Sequence, residues 1–129
     1  MPFVEIFVPE TRPREQRRKL ADAVHAALIE ALQIPADDRF QVIRPVASDD
    51  LVYDPGYLAV ARSPELVIVR VTLRRGRSAD KKRALYRAIA DNASRALEMR
   101  TEDVFVVLTE NETPDWSFGA GVAQYALAD

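Results

Sequence analysis

The sequence predicts an α/β (α+β) fold in which two consecutive β-α-β units form a four-stranded mixed sheet with two helices on one face. Two observations support this prediction. The 129 residues are 48% apolar and 29% charged, which suits one globular domain with a hydrophobic core. The chain also matches itself without a gap when Phe3 is laid on Ile68, so one structural unit is written twice.

The internal repeat runs from the first predicted strand to the last. It places residues 3–8 on 68–73 and residues 37–42 on 102–107. Between them, apolar positions at helical spacing also coincide, such as Leu20 with Leu85. We therefore expect a single domain, 1–129, with pseudo-repeats at about 2–46 and 65–110, a linker at 47–64 and a tail at 111–129.

The first unit reads as strand, helix and strand. Residues 3–8 are β-branched and aromatic, which is typical of a short buried strand. Pro13 suits the first turn of a helix, and Pro35 is expected to end it. Residues 40–46 form the second predicted strand. The apolar stripe of the helix consists of Leu20, Val24, Ala27, Leu28 and Ala31.

The second unit repeats this order. Residues 65–73 are predicted to form a strand, and residues 104–109 the last strand. Between them, Ser78 is predicted to be the N-cap of a helix with Asp80 in its first turn. The helix stripe consists of Leu85, Ile89, Ala93 and Ala96. Because two helices cover only one sheet face, we expect neighbouring subunits to bury the other, apolar face.

Composition excludes several kinds of site. The chain has no cysteine, so disulfides and thiol nucleophiles are excluded, and its one histidine, His25, lies mid-helix and is expected to be structural. A net charge of −2 disfavours nucleic-acid binding through an arginine-rich turn. No apolar run approaches the roughly 20 residues of a membrane span, and a cytoplasmic location is expected.

Pro2 is the first candidate for chemistry. Removal of Met1 would expose a secondary amine at the start of a central strand, able to act as acid, base or nucleophile. The alternative is structural, because proline at the first position of a strand costs no ladder hydrogen bond.

Charged turns supply the other candidates. Arg74, Arg75 and Arg77 lie before the second helix, where a cation opposes the helix dipole, so the cluster indicates a bound carboxylate or, alternatively, a solvated basic turn. Asp38, next to Asp37, is repeated as Asp103, which favours a turn or cap. The tail segment 115–121 holds the one tryptophan and is expected to pack and line a pocket.

These features together resemble the tautomerase superfamily, and within it malonate semialdehyde decarboxylase and its relatives. The resemblance covers nearly the whole chain. It is carried by Pro2, by the string Asp-Arg-Phe-Gln at 38–41, by the Arg-Gly-Arg turn at 75–77, and by Asp-Trp-Ser-Phe-Gly at 115–119. The turn departs from the Arg-Pro-Arg of the family. The resemblance implies a tautomerase-like fold and a homotrimer.

The resemblance also implies roles for individual residues. Pro2 corresponds to the catalytic proline, Asp38 to an acid that supports its charged state, and Arg75 and Arg77 to the arginines that hold the substrate carboxylate. Trp116 and Tyr125 correspond to aromatic positions that line the pocket in some relatives. Phe118 and Arg74 are predicted to bind substrate with them, although the resemblance assigns no role to Arg74, an extra charge. Whether Tyr53 and Tyr57 close over the site is left open.

The function expected from the resemblance is a decarboxylase of small carbonyl acids that requires no metal or organic cofactor. A phenylpyruvate-type enol–keto tautomerase or a hydratase of the same superfamily is the alternative. An alternative of another class is a non-catalytic oligomeric protein that binds carboxylates and uses Pro2 only structurally. The expected partner is a small-molecule carboxylate, with no nucleic acid and no membrane.

Overall fold

The computed structural model describes residues 2–126. The predictions that concern Met1 and the last residues of the tail lie outside this range. The strands and helices are β1 (Phe3–Pro9), α1 (Arg14–Leu32), β2 (Phe40–Val46), β3 (Val67–Arg74), α2 (Ala79–Leu97) and β4 (Val104–Asn111). None of the helices within residues 2–126 has both the length and the apolar character needed to cross a bilayer.

The four strands form one mixed sheet in the order β2-β1-β3-β4. Each unit contributes a parallel pair, β1 with β2 and β3 with β4, because a crossover helix returns the chain in the same direction. The central pair, β1 with β3, is antiparallel. This sheet confirms the predicted fold class.

A pseudo-two-fold relation connects the two units. Glu5 faces Arg70 in the central pair, and the same two residues are equivalent in the internal repeat. The first and last residues of α1 and α2 are equivalent in the repeat as well. We call the end of the sheet that holds the start of β1 the Pro2 end and the opposite end the far end; the repeat makes them structural equivalents.

The core lies between the sheet and the two helices. Alternate residues of the central strands point into it and are fully buried, and each such side chain contributes roughly 1.5–3 kcal/mol by leaving water. They meet the apolar stripes of α1 and α2, which also pack against each other. The largest fully buried side chains are Val4, Ile6, Val8, Leu20, Val24, Leu28, Val67, Val69, Val71, Leu73, Leu85 and Ile89.

The opposite sheet face is open in the single chain. Phe40, Val42, Phe105 and Val107 are exposed on it, as the alternation along the strands requires. At its centre the Glu5 carboxylate lies 3.3 Å from Arg44 Nε and 3.6 Å from Arg70 Nη1.

Some element boundaries differ from those predicted. Pro13 is the N-cap of α1 and lies just outside it, and α1 ends at Leu32, where Gln33 turns left-handed before Pro35 is reached. The third strand begins at Val67, not at Glu65, because a turn hydrogen bond from Leu66 N–H to Ser63 O precedes it. The Ser78 cap is confirmed, since Lys81 N–H donates to its Oγ at 3.2 Å.

Candidate active site

Pro2 is buried at the centre of the Pro2 end. Phe3 pairs with Phe40 of β2 and with Thr72 of β3, so the residue before Phe3 lies between the start of β2 and the end of β3. The register therefore brings Pro2 to the same end of the sheet as Asp38 and residues 74–77, which we call the arginine turn.

The arginine turn links β3 to α2. Gly76 has a φ of +126°, a left-handed value that glycine adopts readily. Proline cannot adopt it, because the pyrrolidine ring fixes φ at a negative value. The Arg-Gly-Arg sequence therefore has its own backbone shape, and does not copy an Arg-Pro-Arg turn. Ser78 then caps α2.

The side chains of this turn border an open groove of about 590 Å³. Arg75 Nε lies 3.1 Å from Glu112 Oε1, and both side chains are about two-thirds exposed. Arg77 is half-buried and donates through Nη1 to Arg74 O at 3.1 Å. The groove is lined by Leu32, Arg74, Arg75, Gly76, Arg77, Ser78, Lys81 and Thr113.

Electrostatics connect Arg77 with Asp38. Burial of Arg77 and the nearby positive charge of Arg74 lower the pKa of the Arg77 guanidinium, while the negative charges of Asp38 and Glu110 oppose that change. Because arginine has so high an intrinsic pKa, the group stays cationic at neutral pH. Asp38 is half-buried whereas Asp37 is exposed, and of the two it is the charge of Asp38 that acts on Arg77.

The Asp-Arg-Phe-Gln string divides into two pairs with different partners. Arg39 donates to Asp22 of α1 at 2.6 Å, and the Gln41 amide donates to Ala21 O at 2.9 Å, so both tie the start of β2 to α1. The negative charge of Asp38 acts on Arg77, and Phe40 lies on the open face.

The tail crosses the Pro2 end as an aromatic strap, which we define as Trp116, Phe118 and Tyr125. Trp116 Nε1 donates to Asn111 Oδ1 at 2.7 Å, which fastens the strap to β4. The Trp116 ring stacks on Phe118 at 5.5 Å, and Phe118 meets Phe40 of β2 at 5.7 Å. The strap thus spans the sheet from one edge strand to the other.

Arg74 joins the basic groove to the aromatic strap. Its guanidinium lies 5.9 Å from the centre of the Tyr125 ring, and that ring meets Phe118 edge-on at 5.1 Å. A second cavity, of about 460 Å³, lies beside the strap. Its lining residues are Phe3, Arg39, Phe40, Gln41, Val42, Trp116, Ser117 and Phe118.

The structure thus places Pro2, Asp38, the three arginines and the strap at one end of the sheet. Sequence reasoning missed Glu112 and Phe40. Phe40 belonged to a recognised string but had no separate signal, and Glu112 had none, because its contact with Arg75 joins residues that are distant in sequence.

Tyr53 lies away from this end, and His25 has a structural contact. Tyr53 lines a cavity of about 260 Å³ at the far end and donates its hydroxyl to Ser63 O at 2.9 Å. His25 is buried, and its Nε2 lies 2.8 Å from Ala36 O, a hydrogen bond that supports the expected structural role. Within residues 2–126, no three His, Cys, Asp or Glu side chains come together as metal ligands.

Comparison with known proteins gives the family. Two family models, both described as tautomerase enzyme, match residues 38–119 and 2–61. Probable tautomerase YusQ of Bacillus subtilis (strain 168) is 44% identical, over 96% of this chain and 98% of its own. Probable tautomerase YrdN of the same organism is 30% identical, over 97% of this chain and 96% of its own.

Solved structures agree. FG41 malonate semialdehyde decarboxylase inhibited by 3-bromopropiolate superimposes with a TM-score of 0.91 at 41% identity, over 96% of this chain and 94% of its own. A symmetric trimer of fused 4-OT shares the fold, with a TM-score of 0.80 at 22% identity, over 96% and 98% of the two chains. The chain belongs to the tautomerase superfamily and is one of its enzymes.

Proposed function

We propose that this chain, with Met1 removed, is a cofactor-free enzyme that uses the Pro2 amine on a small carbonyl compound bearing a carboxylate. The leading reaction is decarboxylation of malonate semialdehyde. The observation that carries the proposal is the convergence of Pro2, Asp38 and the arginine turn at one end of the sheet. The 41% identity to FG41 malonate semialdehyde decarboxylase supports the choice of reaction.

In this proposal Pro2 acts as a cation. Its protonated amine donates a hydrogen bond to the substrate carbonyl oxygen, where negative charge develops in the transition state. The negative charge of Asp38 favours the protonated form. Pro2 is buried, so little water competes for a hydrogen bond that its amine donates to the substrate.

The decarboxylation then balances without an added reagent. The bond between the carboxylate carbon and C2 breaks, and CO₂ leaves. The electron pair of that bond forms the C2–C3 double bond of an enolate, whose oxygen is held by Pro2. A proton from water then adds at C2 and gives acetaldehyde.

Arg75 and Arg77 hold the carboxylate before it leaves. Its charge disappears as CO₂ forms, so the arginines bind and orient the substrate more than they stabilise the transition state. The guanidinium fork suits a carboxylate, and the groove beside the turn is open to ligands. Loss of either arginine should therefore raise KM more than it lowers kcat.

The aromatic strap favours a second candidate function. The 460 Å³ cavity is walled by Phe40, Trp116 and Phe118 and can accept an aryl group. The same cation and arginines would promote enol–keto tautomerisation of a phenylpyruvate-type substrate, or hydration of an unsaturated acid. YusQ, at 44% identity, carries the name probable tautomerase.

We also propose that the chain functions as a homotrimer. The open sheet face exposes aromatic and β-branched residues that water would cover in a monomer. Neighbouring copies would bury them, and light scattering should give three times the 14.5 kDa chain mass. The cytoplasmic location remains a prediction.

The first test is activity. Native protein, with Met1 removal verified by mass spectrometry, should convert malonate semialdehyde to CO₂ and acetaldehyde. Pro2→Ala should lower kcat about 10²- to 10⁴-fold, the usual contribution of a positioned acid. Pro9→Ala is the matched control, because Pro9 ends the same strand at the far end, and it should leave kcat unchanged.

Other results would change the assignment. Ketonisation of phenylenolpyruvate that depends on Pro2, without decarboxylation, would establish the tautomerase alternative. Inactivity on both substrates, with carboxylate binding retained, would favour a specialised enzyme of the superfamily that acts on a different substrate.

A further inference from the structure

Glu112 lies at the rim of the basic groove, beside the groove residue Thr113. Its carboxylate is 3.1 Å from Arg75 Nε. Within residues 2–126, Arg75 is the one arginine of the turn with a carboxylate at ion-pair distance. The Glu112 carboxylate therefore already pairs with the Arg75 guanidinium, which the proposed function assigns to the substrate carboxylate.

The contact is held in place by the backbone around it. Glu112 N–H donates to Asp115 Oδ2 at 2.8 Å, and the Glu112 side chain accepts from Asp115 N–H in a capping box. On the other side, Arg75 N–H donates to Asn111 O at 2.7 Å. These bonds hold the two partners next to each other without a ligand.

We propose that Glu112 is a built-in competitor for the carboxylate subsite, an inference that rests on the proposed function. It neutralises Arg75 in the empty enzyme and is displaced from it when a substrate carboxylate binds. Both partners are about two-thirds exposed, so the ion pair is weak and exchange is easy. An uncharged ligand cannot make this exchange, so Glu112 lowers the affinity for anionic ligands such as carboxylates.

The proposal is tested with Glu112→Gln. Glutamine retains an acceptor for the capping box but loses the charge that pairs with Arg75. Glu98→Gln is the matched control, since it removes the same charge at the far end of the sheet, away from the groove. Each protein is titrated with 3-hydroxypropionate, a three-carbon carboxylate without the carbonyl, while the Trp116 indole signal is followed by NMR.

The signal is suitable because Trp116 is the one tryptophan, and its indole N–H bonds to Asn111 beside the groove. Glu112→Gln should bind the probe about two- to fivefold more tightly, the range of an exposed ion pair. Glu98→Gln should match the wild type. In turnover, Glu112→Gln should lower KM by the same factor and leave kcat unchanged.

The competitor role is overturned if the wild type binds the probe through Arg75 but Glu112→Gln binds it no more tightly than the wild type. That result would show that Glu112 does not restrain Arg75. Two results would contradict the carboxylate subsite itself. In the first, the wild-type protein does not bind the probe; in the second, Arg75→Ala binds the probe as tightly as the wild type does. Either outcome would remove the carboxylate-binding role of Arg75 and this inference with it, whereas decarboxylation by wild type and Pro2→Ala tests the proposed function separately.

Discussion

The Pro2 end and the far end of the sheet are built from equivalent residues. Arg77 at the Pro2 end corresponds to Arg12 at the far end, and Asp38 corresponds to Asp103. At the far end these groups turn inward: Arg12 is mostly buried and lies 3.2 Å from Glu65, and Asp103 is fully buried. At the Pro2 end Arg77 is only half-buried, at the edge of an open groove.

The linker accounts for the difference. It leads into β3 at the far end, where Asp103 accepts from Ser63 N–H at 2.7 Å and from Ser63 Oγ at 2.6 Å. Tyr53 donates to the carbonyl of the same serine. The far end retains a cavity of about 260 Å³, against 590 Å³ for the groove beside Arg77. The equivalent charged residues therefore stabilise the fold at the far end, where they pair with neighbouring residues inside the protein. At the Pro2 end they border an open groove and are available for ligands.

Of the comparisons between the two ends, the equivalent arginines should show the largest effect. Arg77→Ala should lower kcat/KM about 10- to 150-fold, the usual value of a hydrogen bond to a charged group, with a small change in Tm. Arg12→Ala should leave kcat/KM intact but lower Tm, because its side chain packs at the far end and pairs with Glu65. Kinetics and thermal melts of both variants measure this, and equal loss of activity in both would remove the distinction.

The next comparison concerns the aspartates. Asp103→Ala should lower the free energy of unfolding by about 2 kcal/mol, because Ser63 N–H and Oγ lose a charged acceptor. Asp38→Ala should instead lower kcat and change stability less. Urea unfolding, read beside kcat, separates the two effects. If Asp38→Ala proved the more destabilising, its role would be that of a turn residue.

The smallest effects are expected for Phe118 of the strap and Tyr53 of the linker, which pack at opposite ends of the sheet. Phe118→Ala should raise KM about two- to twelvefold, since an aromatic contact contributes about 0.5–1.5 kcal/mol. Tyr53→Phe should leave KM unchanged and cost about 1 kcal/mol of stability through its lost hydrogen bond. An increase in KM for Tyr53→Phe would connect the far end to the site.

Much of the fold was predictable because it rests on short-range patterns. The alternation along the strands, the helix stripes and the Ser78 cap all act over a few residues, and the repeat supplied an independent check. Boundaries were less accurate where a distant or loop contact decides them. The third strand starts at Val67, later than predicted, because Leu66 is held in a turn by Ser63.

The candidate site was only partly predictable. Pro2, Asp38 and the arginine turn stand out through residue type and resemblance. Glu112 did not, because its importance lies in a contact with Arg75, which is distant in sequence. The sequence also did not show that Arg39 and Gln41 of the string at 38–41 anchor to α1 while Asp38 and Phe40 do not. That division depends on which side of β2 each residue occupies.

The sequence by itself determined the repeated β-α-β unit, the helix faces and the residue types at each end, because local sterics and apolar periodicity specify them. Tertiary structure alone decided which copy of each charged group is buried and which borders a groove. The physical reason is that burial and pairing depend on segments distant in sequence: the linker that meets Asp103 at one end, and the aromatic strap that crosses the sheet at the other.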